Sequence, residues 1–407
     1  MAVGLLAGAS TIALRAHPGV VAEYGRTAAL LVTTGKIFAL LAGTLVFLQF
    51  ALGAKLKVLD RVFGLHRLLF AHRFLGVSAA VFASLHPLFV FAPKAREIGA
   101  FGLEIFPELL GAAVLIGLWT AVCTGLWREF LHLRYQVWYR FHRLGMFSAV
   151  VLVTLHVLNV TGDLAEGWPL FALLTAFGLY AALFVWVKGI KPMLLKRRLY
   201  GVTKVTPAGK DTYAVELSPQ RGEIFSYAPG QFAFLTFHSE ALPRERHPWT
   251  ISSTPTRPES LIFTIKCSGD FTDSIGKLKP GDTALVDGPY GLFSYTAHVR
   301  DSNEELVMVA GGVGVTPMLS MLRSMADRGD TRKVTLVWSN KTEADILCRE
   351  ELEAIGAKLP NLAIHHVLTR QKDFQGPTGR LDTAMLKELL SECDRDAAVF
   401  VCGPPPM

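Results

Sequence analysis

Two apolar segments of the chain each contain two histidines at the same spacing. His72 and His86 lie fourteen residues apart in the first segment, and His142 and His156 lie fourteen residues apart in the second. In an α-helix, fourteen residues at about 100° each come to about 40° short of four full turns, so the two histidines lie on nearly the same face. They lie roughly 21 Å apart along the helix axis. Each segment therefore predicts a helix that offers two ligands at two depths.

The chemistry that best explains this pattern is haem ligation. A lone histidine in an apolar helix is more often a hydrogen-bonded packing residue, but polar groups at membrane depth are costly, and four in register require a shared partner. Haem iron takes axial histidines, and the apolar face of a porphyrin suits a helical bundle. Zinc explains the pattern less well, because no carboxylate or thiolate joins either pair.

The composition indicates that the first half of the chain lies in a membrane. The 407 residues suffice for two or three domains, and 51% of them are hydrophobic while 18% are charged. Five apolar stretches are each long enough for roughly 30 Å of hydrocarbon. They cover residues 27–52, 68–91, 107–127, 138–160 and 168–187.

The distribution of charge predicts how the helices are oriented. A short apolar stretch at 2–14 lacks the basic start of a signal peptide, so we interpret it as the first of six helices. With six spans, the loops on one side hold eleven lysines and arginines and the opposite loops hold four. This bias predicts cytoplasmic termini, and it accounts for the net charge of +7 without nucleic acid.

This topology makes the two histidine-bearing helices, the third and the fifth, run in the same direction. His72 is therefore expected to face His142 near the cytoplasm. His86 is expected to face His156 near the outside. The sequence thus predicts an all-α transmembrane bundle, residues 1–190, with two ligand pairs.

The second half of the chain has the pattern of two soluble domains. Short β-rich runs with glycine and proline turns predict an antiparallel β-barrel over residues 196–300. From about Glu304, strands and helices alternate, which predicts a Rossmann-like α/β domain over residues 301–407. The overall fold class is therefore multidomain.

Two motifs in this half are suited to nucleotides. In "AGGVGVTPML", glycines join a strand to a helix and let the backbone approach a pyrophosphate, although the loop is not a strict GxGxxG. In "RHPWTISSTP", Trp249 could flank a flavin ring while nearby hydroxyls hold its ribityl and phosphate groups. A surface hairpin with a buried tryptophan is the alternative. The further flavin candidates are Thr250, Ser252, Ser253, Lys266, Gly269 and Thr272.

From about residue 27 onward, the ordered motifs resemble the ferric reductase and NADPH oxidase family. These motifs are the two histidine pairs, "HPWTISS", "DGPYG", "GGVGVTP" and "VCGPPPM". The resemblance implies that His72, His86, His142 and His156 bind two b-type haems. It implies FAD binding by His247, Pro248, Trp249 and Thr250 with Lys266. It implies NAD(P)H binding by Gly311, Gly312, Val313, Gly314, Val315, Thr316, Pro317, Gly403 and Pro404.

The resemblance also assigns a role to one of five scattered cysteines, which have no paired spacing for zinc or an iron–sulfur cluster. In this family the cysteine of the CGP motif lies beside the nicotinamide, which makes Cys402 the candidate catalytic residue. The family usually continues for some tens of residues to a terminal aromatic that covers the flavin. Because the sequence stops at Met407, we expect either a fragment or a less shielded flavin.

The expected function is electron transfer from cytosolic NADPH through FAD and two haems to an external acceptor. NADPH is favoured because Ser339 and Lys341 stand where an acidic residue would bind a free ribose hydroxyl, with Arg370 as a second cation. Oxygen, giving superoxide, is favoured over a ferric complex because the external loops, 93–106 and 161–167, contain no histidine or cysteine. Lys94 or Arg96 would then stabilise the superoxide charge.

The expected setting is the plasma or inner membrane, with the soluble domains in the cytoplasm. Membrane lipid and a small electron acceptor are the expected partners, without nucleic acid or an obligatory protein partner. Three alternatives stay open at this point. They are a ferric-chelate reductase, a membrane haem carrier or sensor with a regulatory flavin module, and a soluble flavin reductase on a plain membrane anchor.

Overall fold

The computed structural model describes residues 18–94, 106–159, 167–299 and 303–404. The contacts of the chain divide it into two compact units, Met1–Ile190 and Lys191–Met407. The first unit is helical, and the second contains both β-sheets.

The helices of the first unit follow the apolar stretches of the sequence. They are α1 (Pro18–Gly53), α2 (Lys57–Phe63), α3 (Leu65–Phe91), α4 (Phe106–Leu126), α5 (Tyr135–Asn159) and α6 (Gly167–Val185). A helix satisfies its backbone hydrogen bonds internally, which is what an apolar, lipid-facing segment requires. The short α2 lies in a stretch that the sequence had assigned to a loop.

Five helical segments within the described residues are long and apolar enough to cross a membrane. They are Gly25–Gly53, Leu65–Phe91, Pro107–Leu126, Tyr135–Asn159 and Leu170–Lys196. They correspond to the five longer spans predicted from the sequence. The sixth predicted helix, residues 2–14, lies outside the described residues.

Small residues let these helices approach closely. Ala79 and Ala80 of α3 are fully buried and pack in one cluster with Val46 of α1 and Val150 of α5. Gly35 of α1 lies so near α3 that an added Cβ would come within 2.7 Å of Val90. Close packing of this kind brings the backbone of α1 within reach of side chains on α3.

The second unit begins with α7 (Lys191–Lys196) and an antiparallel sheet. Its strands are β1 (Leu199–Gly209), β2 (Thr212–Pro219), β3 (Phe232–His238), β4 (His247–Thr250), β5 (Leu261–Lys266) and β6 (Thr283–Tyr290). They pair in the order β4-β3-β6-β1-β2-β5, around buried residues such as Val215, Leu235 and Phe263. This pairing makes β4 and β5 the end strands, and the backbone N–H of Ser252, just after β4, donates to the carbonyl of Ile262 on β5 at 2.8 Å. The antiparallel sheet is thus observed, and its closure into a barrel stays a prediction.

The remaining strands form the parallel sheet that was predicted for a nucleotide-binding domain. They are β7 (Leu306–Gly311), β8 (Val334–Asn340), β9 (Leu362–Leu368) and β10 (Ala398–Cys402), in the order β10-β7-β8-β9. The helices are α8 (Tyr295–His298), α9 (Thr316–Arg328), α10 (Arg349–Lys358) and α11 (Thr383–Leu389). All residues of β7 are buried, as expected for a central parallel strand.

Candidate functional site

The four histidines of the transmembrane unit form two facing pairs. The ring centroids of His72 on α3 and His142 on α5 lie 6.1 Å apart. Those of His86 and His156, on the same two helices, lie 6.4 Å apart. The ring planes cross at 74° in the first pair and 76° in the second. The structure therefore brings together the pairs that the fourteen-residue spacing predicted.

Three of these imidazoles are held through Nδ1 by neighbouring helices, two of them by a backbone carbonyl group. His86 donates to the carbonyl oxygen of Gly35 at 3.0 Å, and His156 donates to that of Pro107 at 2.8 Å. The Nδ1 atom of His72 lies 3.2 Å from the carbonyl oxygen of Gln49 and 2.8 Å from the nitrogen of the Gln49 side-chain amide, in the amide orientation that satisfies both of its ends. In His86 and His156, the proton on Nδ1 leaves the lone pair on Nε2, which is the tautomer that binds a metal ion through Nε2.

The distances within each pair fit one metal ion between two rings. Two metal–imidazole bonds of about 2 Å each, with each ring centroid about 1 Å behind its nitrogen, give a centroid separation of about 6 Å. Both observed separations have this value. Within the described residues, no group of three or more histidine, cysteine or carboxylate side chains surrounds a common point, so these pairs fit haem better than zinc.

Glycines on the neighbouring helices leave room for two of these rings. A Cβ on Gly111 of α4 would lie 3.0 Å from Cε1 of His156, and one on Gly53 of α1 would lie 3.6 Å from Cε1 of His72. The first distance is too short for an undisturbed contact. The absence of a side chain at Gly111 therefore leaves the space that the His156 ring occupies.

The predicted flavin motif forms an aromatic cluster at the end of the antiparallel sheet. The rings of His247 and Phe271 lie 4.2 Å apart, and Trp249 contacts both of them as well as Phe237. Pro248 is exposed, and Thr250 pairs with Phe232 on β3. Trp249 is thus half buried among three rings. This environment resembles that of the alternative interpretation, a surface hairpin with a buried tryptophan.

Two of the predicted flavin ligands have other roles in the structure. The hydroxyl of Ser252 bonds to Thr264 and to the carbonyl of Ile262, and that of Ser253 bonds to Tyr227 at 3.0 Å. Both serines are buried. Burial raises the pKa of Tyr227 to about 12, so its hydroxyl stays protonated. These serines stabilise the sheet.

The other predicted phosphate contacts lie around a turn after β5. Lys266 is the last residue of that strand, and Gly269 has a positive φ of 133°. The hydroxyl of Thr272 accepts a hydrogen bond from the backbone N–H of Ser268 and donates one to the carbonyl of Gly269. This hydroxyl closes the turn, while the turn itself stays exposed.

The glycine loop lies at the carboxyl ends of the parallel strands. Gly312 has a φ of 52°, and the indole N–H of Trp338 donates to its carbonyl at 2.9 Å. A Cβ on Gly314 would lie 2.3 Å from the carbonyl oxygen of Cys402. The loop and the end of β10 are therefore in direct contact, as a shared nucleotide site requires.

The rest of the glycine motif supports this loop from inside. Val315, Thr316 and Pro317 are buried, and the Thr316 hydroxyl donates to the carbonyl of Val313 at 3.0 Å. Gly403 and Pro404 are exposed beyond β10. Burial raises the pKa of the Cys402 thiol. Cys402 is therefore a protonated thiol at neutral pH.

Lys341 and Arg370 are neighbours at the same edge of the sheet. The backbone N–H of Arg370 donates to the carbonyl of Lys341 at 2.9 Å. Ser339 pairs with Gly311, so this pair of cations follows the strand next to the glycine loop. Asn340 lies between Ser339 and Lys341 in the sequence. Its side-chain amide is buried and has no hydrogen-bond partner within the described residues.

Sequence reasoning missed a buried ionic cluster around Asp287. Its carboxylate forms ion pairs with Lys191, at 2.8 Å, and with Arg246. The hydroxyl of Tyr290 donates to the same carboxylate at 3.1 Å, and burial raises the pKa of this tyrosine. The "DGPYG" motif contains Asp287 and Tyr290, so it was the available signal. The cluster fixes α7 to β6.

A second missed residue, Arg323 of α9, connects the flavin motif to the parallel-sheet domain. Its guanidinium donates to the backbone carbonyl of Ser252 and forms a two-pronged ion pair with Glu351 at 2.6 and 2.7 Å. Ser320, one turn earlier, donates to the carbonyl of Ser253 at 2.7 Å. The backbone of the two serines is therefore part of the contact between the sheets.

Three family models match the chain in succession. They are "Ferric reductase like transmembrane component" over residues 38–153, "FAD-binding domain" over residues 199–294 and "Oxidoreductase NAD-binding domain" over residues 308–407. The chain has the architecture of the ferric reductase and NADPH oxidase family. Because five described helices are long and apolar enough to cross a membrane and the first model is that of a transmembrane component, the protein is an integral membrane protein.

Curated relatives match part of this chain. It is 36% identical over 165 residues to NADH-cytochrome b5 reductase 2 of Mycosarcoma maydis, covering 39% of this chain and 46% of that protein. It is 31% identical over 199 residues to NADH-cytochrome b5 reductase 1 of Neosartorya fischeri, covering 46% of this chain and 63% of that protein. The chain thus spans about half to two thirds of these curated relatives.

Among solved structures, one similar to this chain is the cytochrome b5 reductase domain of Ulva prolifera nitrate reductase. Its TM-score is 0.45 and its sequence identity is 22%. The match covers 51% of this chain and 87% of that chain.

Proposed function

We propose that this protein transfers electrons from NADPH to an acceptor on the other side of the membrane, with FAD and two b-type haems as cofactors. The observation that carries this proposal is the two histidine pairs, at 6.1 and 6.4 Å, in a chain that also has FAD-binding and NAD-binding domains. NADPH donates two electrons together as hydride, and each haem accepts one electron. A flavin can accept two electrons as hydride and release them one at a time, so it suits the position between NADPH and the haems.

The histidines would bind the haems through their Nε2 atoms. Carbonyl groups of Gly35 on α1 and Pro107 on α4 accept hydrogen bonds from the Nδ1 atoms of His86 and His156, so that these two imidazoles present a fixed lone pair. Binding at two depths on the same two helices gives one haem near each surface. We therefore assign His72 and His142 to one haem and His86 and His156 to the other.

At the nucleotide end, the chain supplies a loop, a thiol and two cations. The glycine loop and α9 would bind the pyrophosphate through backbone N–H groups. Cys402 would lie beside the nicotinamide and exclude water there as a neutral thiol. Bound FAD would accept the hydride of the nicotinamide, and Cys402 would orient the nicotinamide ring for that transfer.

The cations favour NADPH over NADH. Lys341 and Arg370 are held side by side by a backbone hydrogen bond, and together they would neutralise a 2′-phosphate. The two relatives reported above are named for NADH, so NADH is the alternative that a test must include. Comparison of kcat/KM for the two nucleotides distinguishes them.

Oxygen is the proposed acceptor, and a ferric complex is the alternative. The external loops, 93–106 and 161–167, contain no histidine or cysteine that would bind iron, whereas oxygen needs only access to the haem edge. Of the residues proposed to act there, Lys94 lies at the end of the described segment and Arg96 lies outside it. The name of the transmembrane family model supports the ferric alternative.

We place the protein in the plasma or inner membrane with both soluble domains in the cytoplasm, on the basis of the eleven-to-four distribution of basic residues. The partners are then membrane lipid and a small acceptor.

The cofactor assignment is tested by measuring haem as pyridine haemochrome, and FAD after release, in purified protein. We expect two haems and one FAD per chain. A protein that binds FAD and no haem would be a flavin reductase on a membrane anchor instead. The acceptor is tested by a dismutase-sensitive cytochrome c assay in air beside ferric-chelate reduction without oxygen. Ferric reduction with negligible superoxide would make the protein a metalloreductase.

A further inference from the structure

The four histidines are not anchored alike. His72, His86 and His156 each have a backbone carbonyl within hydrogen-bond distance of Nδ1. The Nδ1 atom of His142 is buried and has no hydrogen-bond partner within the described residues. A ligand without this hydrogen bond needs another contact to fix the direction of its ring.

The indole of Trp138 provides that contact. It lies one helical turn before His142 on α5 and stacks on the imidazole, with ring centroids 5.0 Å apart and planes inclined by 27°. No other aromatic ring in the described residues stacks on a histidine of either pair.

Trp138 is itself held in place by α4. Its Nε1 atom donates to the hydroxyl of Thr124 at 3.3 Å, and this hydroxyl donates to the carbonyl of Thr120 at 2.7 Å. A Cβ on Gly125 would lie 3.7 Å from Cζ2 of the indole, so α4 packs against the ring at van der Waals distance. Trp138 thus connects His142 to α4. The carbonyl group of Pro107 connects His156 to the same helix by a hydrogen bond.

We propose that Trp138 is a positioning residue that fixes the ring plane of His142 in place of the hydrogen bond that anchors the other three histidines. This inference rests on the proposed function, because it assigns His142 as an axial ligand. Its consequence is that the two haems respond differently to the loss of one aromatic side chain. The His86–His156 pair has no such dependence, since both of its Nδ1 atoms are bonded to carbonyl groups.

The test is electron paramagnetic resonance of the oxidised holoprotein, with redox potentiometry of the haem bands. The largest g-value of a low-spin ferric haem depends on the angle between its axial imidazole planes, and both angles here are near perpendicular. We expect Trp138→Leu, which has no aromatic face, to shift or broaden one of two low-spin signals and to shift one midpoint potential. Trp138→Phe, which keeps a stacking ring, is expected to preserve both.

The matched control is Trp119→Leu. Trp119 of α4 also donates to a hydroxyl on a neighbouring helix, that of Ser84 at 2.9 Å, but it stacks on none of the four histidines. This variant should leave both signals unchanged. It therefore separates the loss of a membrane tryptophan from the loss of the stack on His142.

Two results would overturn the inference. The first is that Trp138→Leu and Trp138→Phe have the same spectra and the same midpoint potentials. Whether these values are unaltered or altered in both variants, stacking would then not position His142. A change in both haem signals of Trp138→Leu would show a general effect on the bundle. A different result would contradict the proposed function, namely the absence of two low-spin haem signals in the unmodified protein.

Discussion

Gly314 lies against the carbonyl group of Cys402, at the point where the glycine loop meets the end of β10. A Cβ added to Gly314 would come within 2.3 Å of that oxygen and 3.1 Å of the Cα of Gly403. Both atoms belong to backbone, which cannot move aside as a flexible side chain can. The contact couples the pyrophosphate loop to the residue proposed to lie beside the nicotinamide.

The first prediction follows from this contact. Gly314→Ala should separate the loop from β10 and lower kcat/KM for NADPH at least about tenfold, measured with ferricyanide as an acceptor that needs no haem. Gly356→Ala is the matched control, because Gly356 is inside α10 with nothing within 4 Å of its added Cβ. Equal activity of the two variants would contradict the proposed site.

The second prediction concerns the choice of nucleotide. Lys341→Ala and Arg370→Ala should each reduce kcat/KM for NADPH about tenfold, on the order of 1.4 kcal/mol, and leave that for NADH nearly unchanged. Lys333→Ala is the control, because Lys333 precedes the opposite end of β8 and pairs with Glu305. If kcat/KM for NADPH and kcat/KM for NADH fell by the same factor, the two cations would have a structural role.

The third prediction concerns the histidine pairs. His86→Ala should remove about one haem of two, measured as pyridine haemochrome, because His156 alone cannot complete bis-imidazole ligation. His66→Ala is the control, since His66 is an exposed residue in the first turn of α3 and belongs to neither pair. Full haem content in His86→Ala would reject the assignment of the second pair.

The fourth prediction concerns the pH dependence of stability. Burial raises the pKa of Glu351, but the hydrogen bond and charge of Arg323 lower it more, so the net value lies below the ordinary 4.5. A carboxylate with a lowered pKa in the folded state stabilises the fold above about pH 4.5, and this contribution is lost as the pH falls through the lowered pKa. The loss should be visible as a lower thermal midpoint in acid.

The variant Glu351→Gln should therefore destabilise the soluble unit at pH 7 by about 1–2 kcal/mol, a value reduced because the Glu351 side chain is 44% exposed. It should also lose part of the acid dependence in thermal unfolding. Glu350→Gln, at the exposed neighbouring position, should do neither. An unchanged acid dependence in Glu351→Gln would mean that other carboxylates cause it.

The histidine pairs could be predicted from sequence because spacing on a helix fixes direction and depth. Their hydrogen-bond partners could not, since the carbonyl groups of Gly35 and Pro107 belong to other helices and have no side-chain signature. Ser252 and Ser253 were predicted as flavin ligands from their type. Their hydroxyls instead bond within the sheet, which depends on strand pairing that the local sequence does not show.

The parallel sheet was predicted correctly because its strands are short, mostly apolar runs that alternate with helical segments and turns. The helix α10, between β8 and β9, was not predicted, since "REELEAIGAK" is half charged, contains a glycine and buries only Leu352 and Ile355. Cys348 begins this helix with a φ of 50°, a conformation that is uncommon outside glycine. Tertiary contacts such as the ion pair between Arg323 and Glu351 specify this region, and local propensity does not.

The central claim, that electrons pass from NADPH to the histidine-bound haems, is tested most directly by anaerobic stopped-flow absorbance of protein loaded with FAD and haem. After mixing with NADPH, we expect the flavin absorbance to fall first and the reduced b-type haem bands to appear afterwards. In His142→Ala, the haem phase should lose amplitude while the flavin phase is kept. Flavin reduction at the normal rate with haem bands that stay oxidised in the unmodified protein would contradict the account.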